Sequence, residues 1–303
     1  MNPHAAQAPA LRLHPFLTLK EKSLCISPCI QKEFKMSIIT ISRGSYSHGR
    51  EVAEKVAKEL DYQCVSREIL LDASEQFQIP EIKLARAIHD PFSVFNRFTY
   101  GKERYIAYIR AALLKCVQKD NVVYHGLAGH FWLQDIPHVL KVRVIADLED
   151  RVKEEMTREG ISAEEAQYIL KKDDDERRKW GLQLYGHDTQ DSSLYDLVVH
   201  IKRKKVDDAV GLILYAARMS CFQTTPESQK IIDDLALAAE VNAALVDQFP
   251  TSTVTAKDGA VHVGIETRLN QQAKTVDSIK SIAERVVGVK TVDVFVKPLI
   301  GVD

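Results

Sequence analysis

The chain has 303 residues, of which 45% are apolar and 27% charged, and this length suffices for two domains with separate cores. Its formal net charge of -1 gives no global field toward nucleic acid or an anionic membrane, so we expect no nucleic-acid partner. The longest stretch of apolar or small residues, 209–217, is far shorter than the roughly 20 residues that cross a bilayer, so no transmembrane segment is predicted. Five scattered cysteines favour reduced thiols over a disulfide framework.

The first 35 residues predict a disordered extension. They contain three prolines before position 16 and show no sustained helical or strand period. They also lack the apolar core and the small-residue cleavage site of a secretory signal. A start at Met36 rather than Met1 is an open alternative.

From residue 37 the pattern changes to strand, turn and helix. Residues 37–42 form a β-branched run, 43–49 a loop rich in glycine and serine, and 50–60 a segment with apolar residues at helical spacing. Buried-type strands that alternate with helices predict an α/β fold, with a central parallel sheet covered on both faces. The further strands are predicted at 62–65, 121–124, 139–145 and 197–201, with helices such as 105–118 and 148–159 between them.

A second unit follows a segment that breaks this rhythm. Asp258-Gly259 between alternating apolar residues predicts a hairpin turn. The elements predicted around it are a helix at 231–248, strands at 252–256 and 260–264, a helix at 275–287 and a strand at 291–296. The predicted organisation is an extension at 1–35, a first domain at 36–217, a linker at 218–228 and a second domain at 229–303.

The turn after the first strand has the spacing of a P-loop. Gly44 and Gly49 bracket four residues directly after a buried-type strand and directly before a helix. Glycines permit positive φ angles that point backbone N–H groups inward, and the helix adds the positive end of its dipole. An ordinary strand-to-helix turn is the alternative. The predicted anion cradle consists of Gly44, Ser45, Tyr46, Ser47, His48, Gly49, Arg50 and Glu51.

Two residues of this cradle depart from the usual P-loop, in which a lysine contacts the phosphates and a Ser or Thr hydroxyl binds magnesium. Arg50 can still donate to phosphate oxygens. Glu51 instead offers a carboxylate where the hydroxyl ligand belongs. The sequence therefore leaves the metal ligands unassigned.

Several collinear segments resemble the cytidylate kinase-like family. The most extensive is 39–60, with its Ile-Ser-Arg start and the Gly-Arg-Glu end of the loop. The resemblance implies a three-layer P-loop kinase domain with a central parallel sheet, an NMP-binding region near 66–110 and a lid near 160–190. The other segments are 66–70, 121–126, 139–145, 148–151, 171–178 and 195–199.

The chemistry implied by the resemblance is phosphoryl transfer from ATP, with Mg²⁺, to a nucleoside monophosphate such as CMP or dCMP. Such catalysis consists mainly of positioning and charge neutralisation by cationic groups. The implied candidates are Arg50 on the donor phosphates, Arg177 and Arg178 closing from the lid, and Arg151 in support. Without the resemblance, 171–179 would be interpreted as a solvated, ion-paired helix face.

The end of the third strand departs from the family pattern. Cytidylate kinases carry Asp-Gly-Arg or Gly-Arg there, whereas this chain has His125-Gly-Leu-Ala-Gly-His130. The two histidines could bind phosphate or metal, although packed or surface side chains are the commoner outcome. The lost charges favour an alternative function, a catalytically degenerate nucleotide sensor. Residues 92–105, which interleave aromatic and basic side chains, could stack a base or cover the core.

Residues 227–303 resemble a BON domain. The resemblance rests on 241–245, 254–264 and 282–294. It implies a small α/β binding domain whose partner is a protein or a small ligand. With a nucleotide as the ligand of the first domain and no secretory signal, we expect a cytoplasmic protein.

Overall fold

The computed structural model describes residues 37–44, 47–66, 68–79, 81, 83–84, 101–126 and 129–298. The predicted extension at 1–35 and most of the aromatic and basic segment at 92–105 lie outside these ranges.

A five-stranded parallel sheet forms the centre of the protein, as predicted. Its strand order is β2-β3-β1-β4-β5, and every neighbouring pair is parallel. Four of the six residues of β1 are buried, which explains why the strand is a β-branched run rather than an alternating one. The strands are β1 (Ile38–Arg43), β2 (Gln63–Val65), β3 (Val122–Tyr124), β4 (Val139–Ala146) and β5 (Leu197–Ile201).

Helices cover both faces of this sheet. The first two residues of β1 show how the layers form: Ile38 packs into one core and Ile39 into the other, because successive side chains of a strand point to opposite faces. The helices that follow in this part of the chain are α1 (Gly49–Leu60), α2 (Glu68–Phe77), α3 (Gly101–Val117), α4 (Gly129–Trp132), α5 (Leu148–Glu159), α6 (Ala163–Tyr185) and α7 (Val206–Ala217). Single 3-10 turns lie at Ser192–Leu194, Ser220–Phe222 and Leu269–Gln271.

The C-terminal elements form a smaller, three-stranded sheet of order β6-β7-β8, in which β6 and β7 are antiparallel and β7 and β8 parallel. The predicted hairpin turn is present. Asp258 (φ 56°) and Gly259 (φ 87°) both adopt positive φ, the backbone that a two-residue turn between twisted strands requires. The elements are α8 (Pro226–Leu245), β6 (Thr253–Lys257), β7 (Ala260–Thr267), α9 (Gln272–Ala283) and β8 (Thr291–Pro298).

Helix α8 begins five residues before its predicted start at position 231. Thr225 and Ser228 form a reciprocal capping box, and Pro226 occupies the first turn, so residues that suggest a linker in fact begin a helix. The linker boundary at 218–228 remains a prediction.

Two cores share α8. Ile232, Ala236 and Ala239 pack with α3 beside the large sheet. Val241 and Leu245 instead pack with the strands of the small sheet. No helix in the described ranges is long and apolar enough to cross a membrane.

The sharing of α8 predicts unequal effects of mutating two adjacent isoleucines. Ile232 is fully buried, whereas Ile231 is 38% exposed. Ile232→Ala should lower the free energy of unfolding by about 2–5 kcal/mol, through lost transfer energy and a residual cavity. Ile231→Ala should lower it by less than about 1 kcal/mol. Urea denaturation of both variants measures the difference, and equal losses would contradict the packing of α8 against α3.

Candidate functional site

A cavity of about 790 Å³ lies where three strands of the large sheet end. Arg43 closes β1, Tyr124 closes β3 and Ala146 closes β4, and all three line the cavity. Helix α6 contributes the opposite wall through Arg177 and Trp180. Ligands of open α/β sheets bind at the carboxyl ends of the strands, so this cavity is the candidate functional site.

The turn after β1 enters the cavity through Gly44 and Ser47. The Ser47 hydroxyl donates within 3.1 Å of the carbonyl oxygens of Gly44 and Val144, and so ties the turn to β4. The expectation of positive φ at the glycines is wrong, because the left-handed residue is His48 (φ 58°). Gly49 is required for close packing instead, since a Cβ there would lie 2.6 Å from Cβ and Cδ of Arg43. Ser45 and Tyr46 lie outside the described residues.

The remaining cradle residues contact charged side chains at the surface, outside the cavity lining. Arg50 Nε lies 2.7 Å from Glu54, and the Arg50 side chain is 73% exposed. Glu51 lies 3.2 Å from Lys55, and His48 Nε2 lies 2.8 Å from Glu154. The phosphate-binding roles of these residues remain predictions.

Two of the predicted catalytic arginines, Arg151 and Arg177, line the cavity. Arg151 forms a bidentate pair with Asp174, at 2.8 and 3.0 Å, and its guanidinium carbon lies 3.5 Å from where a Cβ on Gly44 would stand. Arg177 Nη1 donates to the Arg43 carbonyl over 2.9 Å. Arg178 is placed differently, since it pairs with Asp188 at 2.7 Å and does not line the cavity.

The cavity is also lined by two arginines that the sequence analysis did not identify, Arg43 and Arg143. Arg143 donates to the Thr189 carbonyl and to the Tyr195 hydroxyl, and its guanidinium carbon lies 5.4 Å from the Tyr195 ring centroid. The sequence signal was present, because a cation inside the apolar strand β4, between the buried Val142 and Val144, calls for a partner or a ligand.

The two histidines after β3 also line the cavity. His130 is only 6% exposed and packs 4.0 Å from the Phe131 ring and 5.1 Å from the Tyr195 ring. Burial, and then the charge of Arg143, lower the pKa of His130 to about 3. Burial, followed by Arg43, also lowers the pKa of His125. Both rings are therefore neutral at neutral pH and act as dipoles rather than as cations.

Arg110 is another residue that sequence reasoning missed. It follows Ile109, which lines the cavity, and burial lowers the pKa of its guanidinium. Its Nε has no hydrogen-bond partner, and it forms no ion pair within the described part of the chain. Arg110 is half-buried, and a cation partly removed from water is stabilised when an anion neutralises it.

Helix α6 supplies the carboxylates at the cavity. Asp173, Asp174 and Glu176 line it, and Asp174 is held by Arg151. No group of three or more His, Cys, Asp or Glu side chains in the described ranges is arranged to hold a metal ion.

A family model described as the cytidylate kinase-like family matches residues 38–203, more than half of the chain. The chain belongs to this family. The cytidylate kinase-like region thus includes all five strands of the large sheet and every residue that lines the cavity.

Curated relatives carry the name cytidylate kinase. That of Thermococcus kodakarensis is 33% identical over 100 residues, which cover 33% of this chain and 51% of the relative. That of Sulfolobus acidocaldarius is 26% identical over 178 residues, or 58% of this chain and 91% of the relative. The match thus spans about half the length of the Thermococcus enzyme and nearly all of the Sulfolobus one.

Solved structures are similar at a lower level. An uncharacterized protein from Eubacterium ventriosum has a TM-score of 0.44 and 22% identity, covering 60% of this chain and 98% of the other. Shikimate kinase from Bacteroides thetaiotaomicron has a TM-score of 0.38 and 10% identity, covering 61% and 99%.

The low pKa of His130 predicts a loss of stability in mild acid. Below about pH 6.5, His130 is protonated in the unfolded chain, whereas in the folded protein its ring stays neutral until the pH approaches 3. The free energy of unfolding should therefore fall with pH in this window, by up to about 1.4 kcal/mol per unit from this residue. His130→Gln should reduce that slope, measured by urea denaturation from pH 7.5 to 5. Phe131→Leu, which removes no titrating group, should keep the wild-type slope. An equal reduction of the slope in both variants would contradict its origin in His130.

Proposed function

We propose that the protein transfers a phosphoryl group from ATP to a nucleoside monophosphate, with CMP and dCMP as the first acceptors to test. The observation that carries the proposal is a set of four arginines at one cavity, which the P-loop-like turn after β1 also lines. Arg43, Arg143, Arg151 and Arg177 all line it. Phosphoryl transfer needs such a concentration of positive charge, because the transition state spreads negative charge over several oxygens.

The donor phosphates would lie against the turn and the arginines nearest to it. Gly44 offers backbone without a side chain, and Arg151 stands across from it. The bidentate contact with Asp174 holds the Arg151 guanidinium in one orientation, so little freedom is lost when it binds phosphate. Arg177, on the lid helix, would approach from the opposite side.

The acceptor would occupy the side of the cavity formed by α2, α3 and the end of β3. Ile69 and Ile109 supply apolar walls there, and Phe131 and Trp180 supply aromatic faces suited to a base. Arg110 follows Ile109 on α3 and does not itself line the cavity, so it would act on the acceptor phosphate through its charge alone. The neutral His125 and His130 would contribute hydrogen bonds and no charge.

Magnesium fits a site of this kind when the nucleotide provides most of its ligands. Mg²⁺ keeps several waters and binds through phosphates with only one or two carboxylates. Asp173 and Glu176 are the cavity carboxylates that could supply such a ligand. Bound Mg²⁺ would neutralise part of the negative charge on the phosphates, and the arginines would neutralise the remainder.

A nucleotide sensor is the second candidate, and the residues after β3 favour it. In the sequence, His125 and Leu127 stand where cytidylate kinases have an acid and an arginine. Arg50 is paired with Glu54 at the surface. A protein of this kind would bind nucleotide phosphates at the same cavity without turnover.

The C-terminal unit is proposed to be a BON-like binding domain for a protein or a small ligand. Its order of helix, two strands, helix and strand, and its separate core around Val261 and Ile279, support this proposal. A cytoplasmic location would suit a nucleotide ligand.

Turnover of a nucleotide panel distinguishes the two functions. Purified protein with ATP and Mg²⁺ should form diphosphate from at least one nucleoside monophosphate, measured by coupled assay or chromatography. A thermal shift with nucleotide but no diphosphate would favour the sensor. Neither turnover nor a shift would refute both candidates.

Two nearby residues of α6, Arg177 and Lys179, provide matched variants. Arg177→Ala should lower kcat/KM by about 10²-fold or more, because it removes a cation that faces the cavity. Lys179→Ala, which changes an exposed position two residues away, should change it less than about threefold. Arg178→Ala and Arg50→Ala test the other candidates, whose side chains point to surface carboxylates. Equal effects of Arg177→Ala and Lys179→Ala would contradict the placement of the lid.

A further inference from the structure

Polar contacts join α3 to the C-terminal part of the chain at both ends of their shared interface. At the α3 C-terminus, Gln118 Nε2 donates to Asp233 over 2.8 Å, and Gln229 donates to the Gln118 carbonyl over 3.1 Å. Toward the α3 N-terminus, Arg104 Nε and Nη2 lie 2.6 and 3.0 Å from the two carboxylate oxygens of Asp247. Asp247 lies two residues beyond the end of α8, in the turn that precedes the small sheet.

Tyr108 is the second partner of Asp247. Its hydroxyl donates to Oδ1 over 2.7 Å, and the residue is only 4% exposed. Burial, and then the hydrogen bond to Asp247, raise the pKa of Tyr108 to about 12. The ion pair with Arg104 is half exposed and contributes little alone. A buried hydroxyl without its acceptor is costly, so Tyr108 depends on Asp247.

Tyr108 transmits this contact to the wall of the cavity. Its ring stacks on Phe77 of α2 with centroids 4.3 Å apart. The next residue on α3, Ile109, lines the cavity, as do Ile69 and Leu70 of α2. Asp247 therefore holds the reverse side of the wall that faces the proposed acceptor.

We propose that Asp247 is a positioning residue for the acceptor wall formed by α2 and α3. By accepting from Arg104 and Tyr108 it fixes α3, and with it Ile109 and Arg110, relative to the large sheet. The C-terminal unit thereby sets the affinity for the acceptor without touching it. The identity of the acceptor rests on the proposed function, whereas the positioning contact does not.

Hydrogen exchange on the full chain tests the contact itself. Asp247→Ala should accelerate amide exchange over 101–112 by about tenfold, because α3 loses the partner of two side chains. Asp247→Asn retains an oxygen that can accept from Tyr108 and should restore most of the protection. Asp233→Ala, which removes a contact to α3 far from the cavity, is the matched control and should leave 101–112 unchanged.

Steady-state kinetics test the consequence. Asp247→Ala should raise the KM for the acceptor monophosphate by at least about fivefold, while the KM for ATP and kcat stay within about twofold. A general loss of stability would instead change both substrates together and would appear in Asp233→Ala as well.

The outcomes separate the two proposals. Unchanged exchange over 101–112 in Asp247→Ala, or equal acceleration by Asp233→Ala, would overturn the positioning role, as would equal changes in the two KM values. A wild-type protein that phosphorylates no nucleoside monophosphate would refute the kinase function, and the exchange comparison would still decide the role of Asp247.

Discussion

Parallel pairing of β1 with β3 on one side and with β4 on the other is the constraint on which the candidate site depends. The register sets Arg43 opposite Val144 and Ser42 opposite Arg143, so two strands deliver cations to one edge of the sheet. Side chains of a strand alternate between faces, and a slip of one residue in β4 would move Arg143 into the opposite core. The location of the charges is thus a result of strand register, which the buried valines and isoleucines enforce.

The sequence predicted the architecture well because its strands are short apolar runs with clear punctuation. The five strands of the large sheet, the hairpin at Asp258-Gly259 and the extent of α5 all match the structure. The start of α8 was misplaced because Thr225 and Ser228 look like linker residues until their side chains are seen to cap a helix. Local composition predicts that an element exists better than it predicts where that element begins.

The site was harder to predict than the fold, because the sequence shows the type of each residue but not the direction in which its side chain points. Arg151 and Arg177 reach the cavity, whereas Arg178, one residue further along the same helix, points to Asp188. Arg43 and Arg143 have no motif of their own and become recognisable only when the strands are paired. The histidines after β3 illustrate the same limit, because their neutrality follows from burial and from nearby arginines that sequence order does not bring together.

Helix α8 has a consequence for how the protein holds together as a whole. One continuous helix supplies apolar side chains to both cores, so neither sheet has a complete hydrophobic surface of its own. Removal of the chain after the predicted linker would expose the face of α3 that Ile232 and Ala239 cover, even though the kinase-like sequence would remain intact. We therefore expect the two parts to unfold together, although the cytidylate kinase-like region covers only residues 38–203. Loss of the smaller part would therefore remove structure from the larger one.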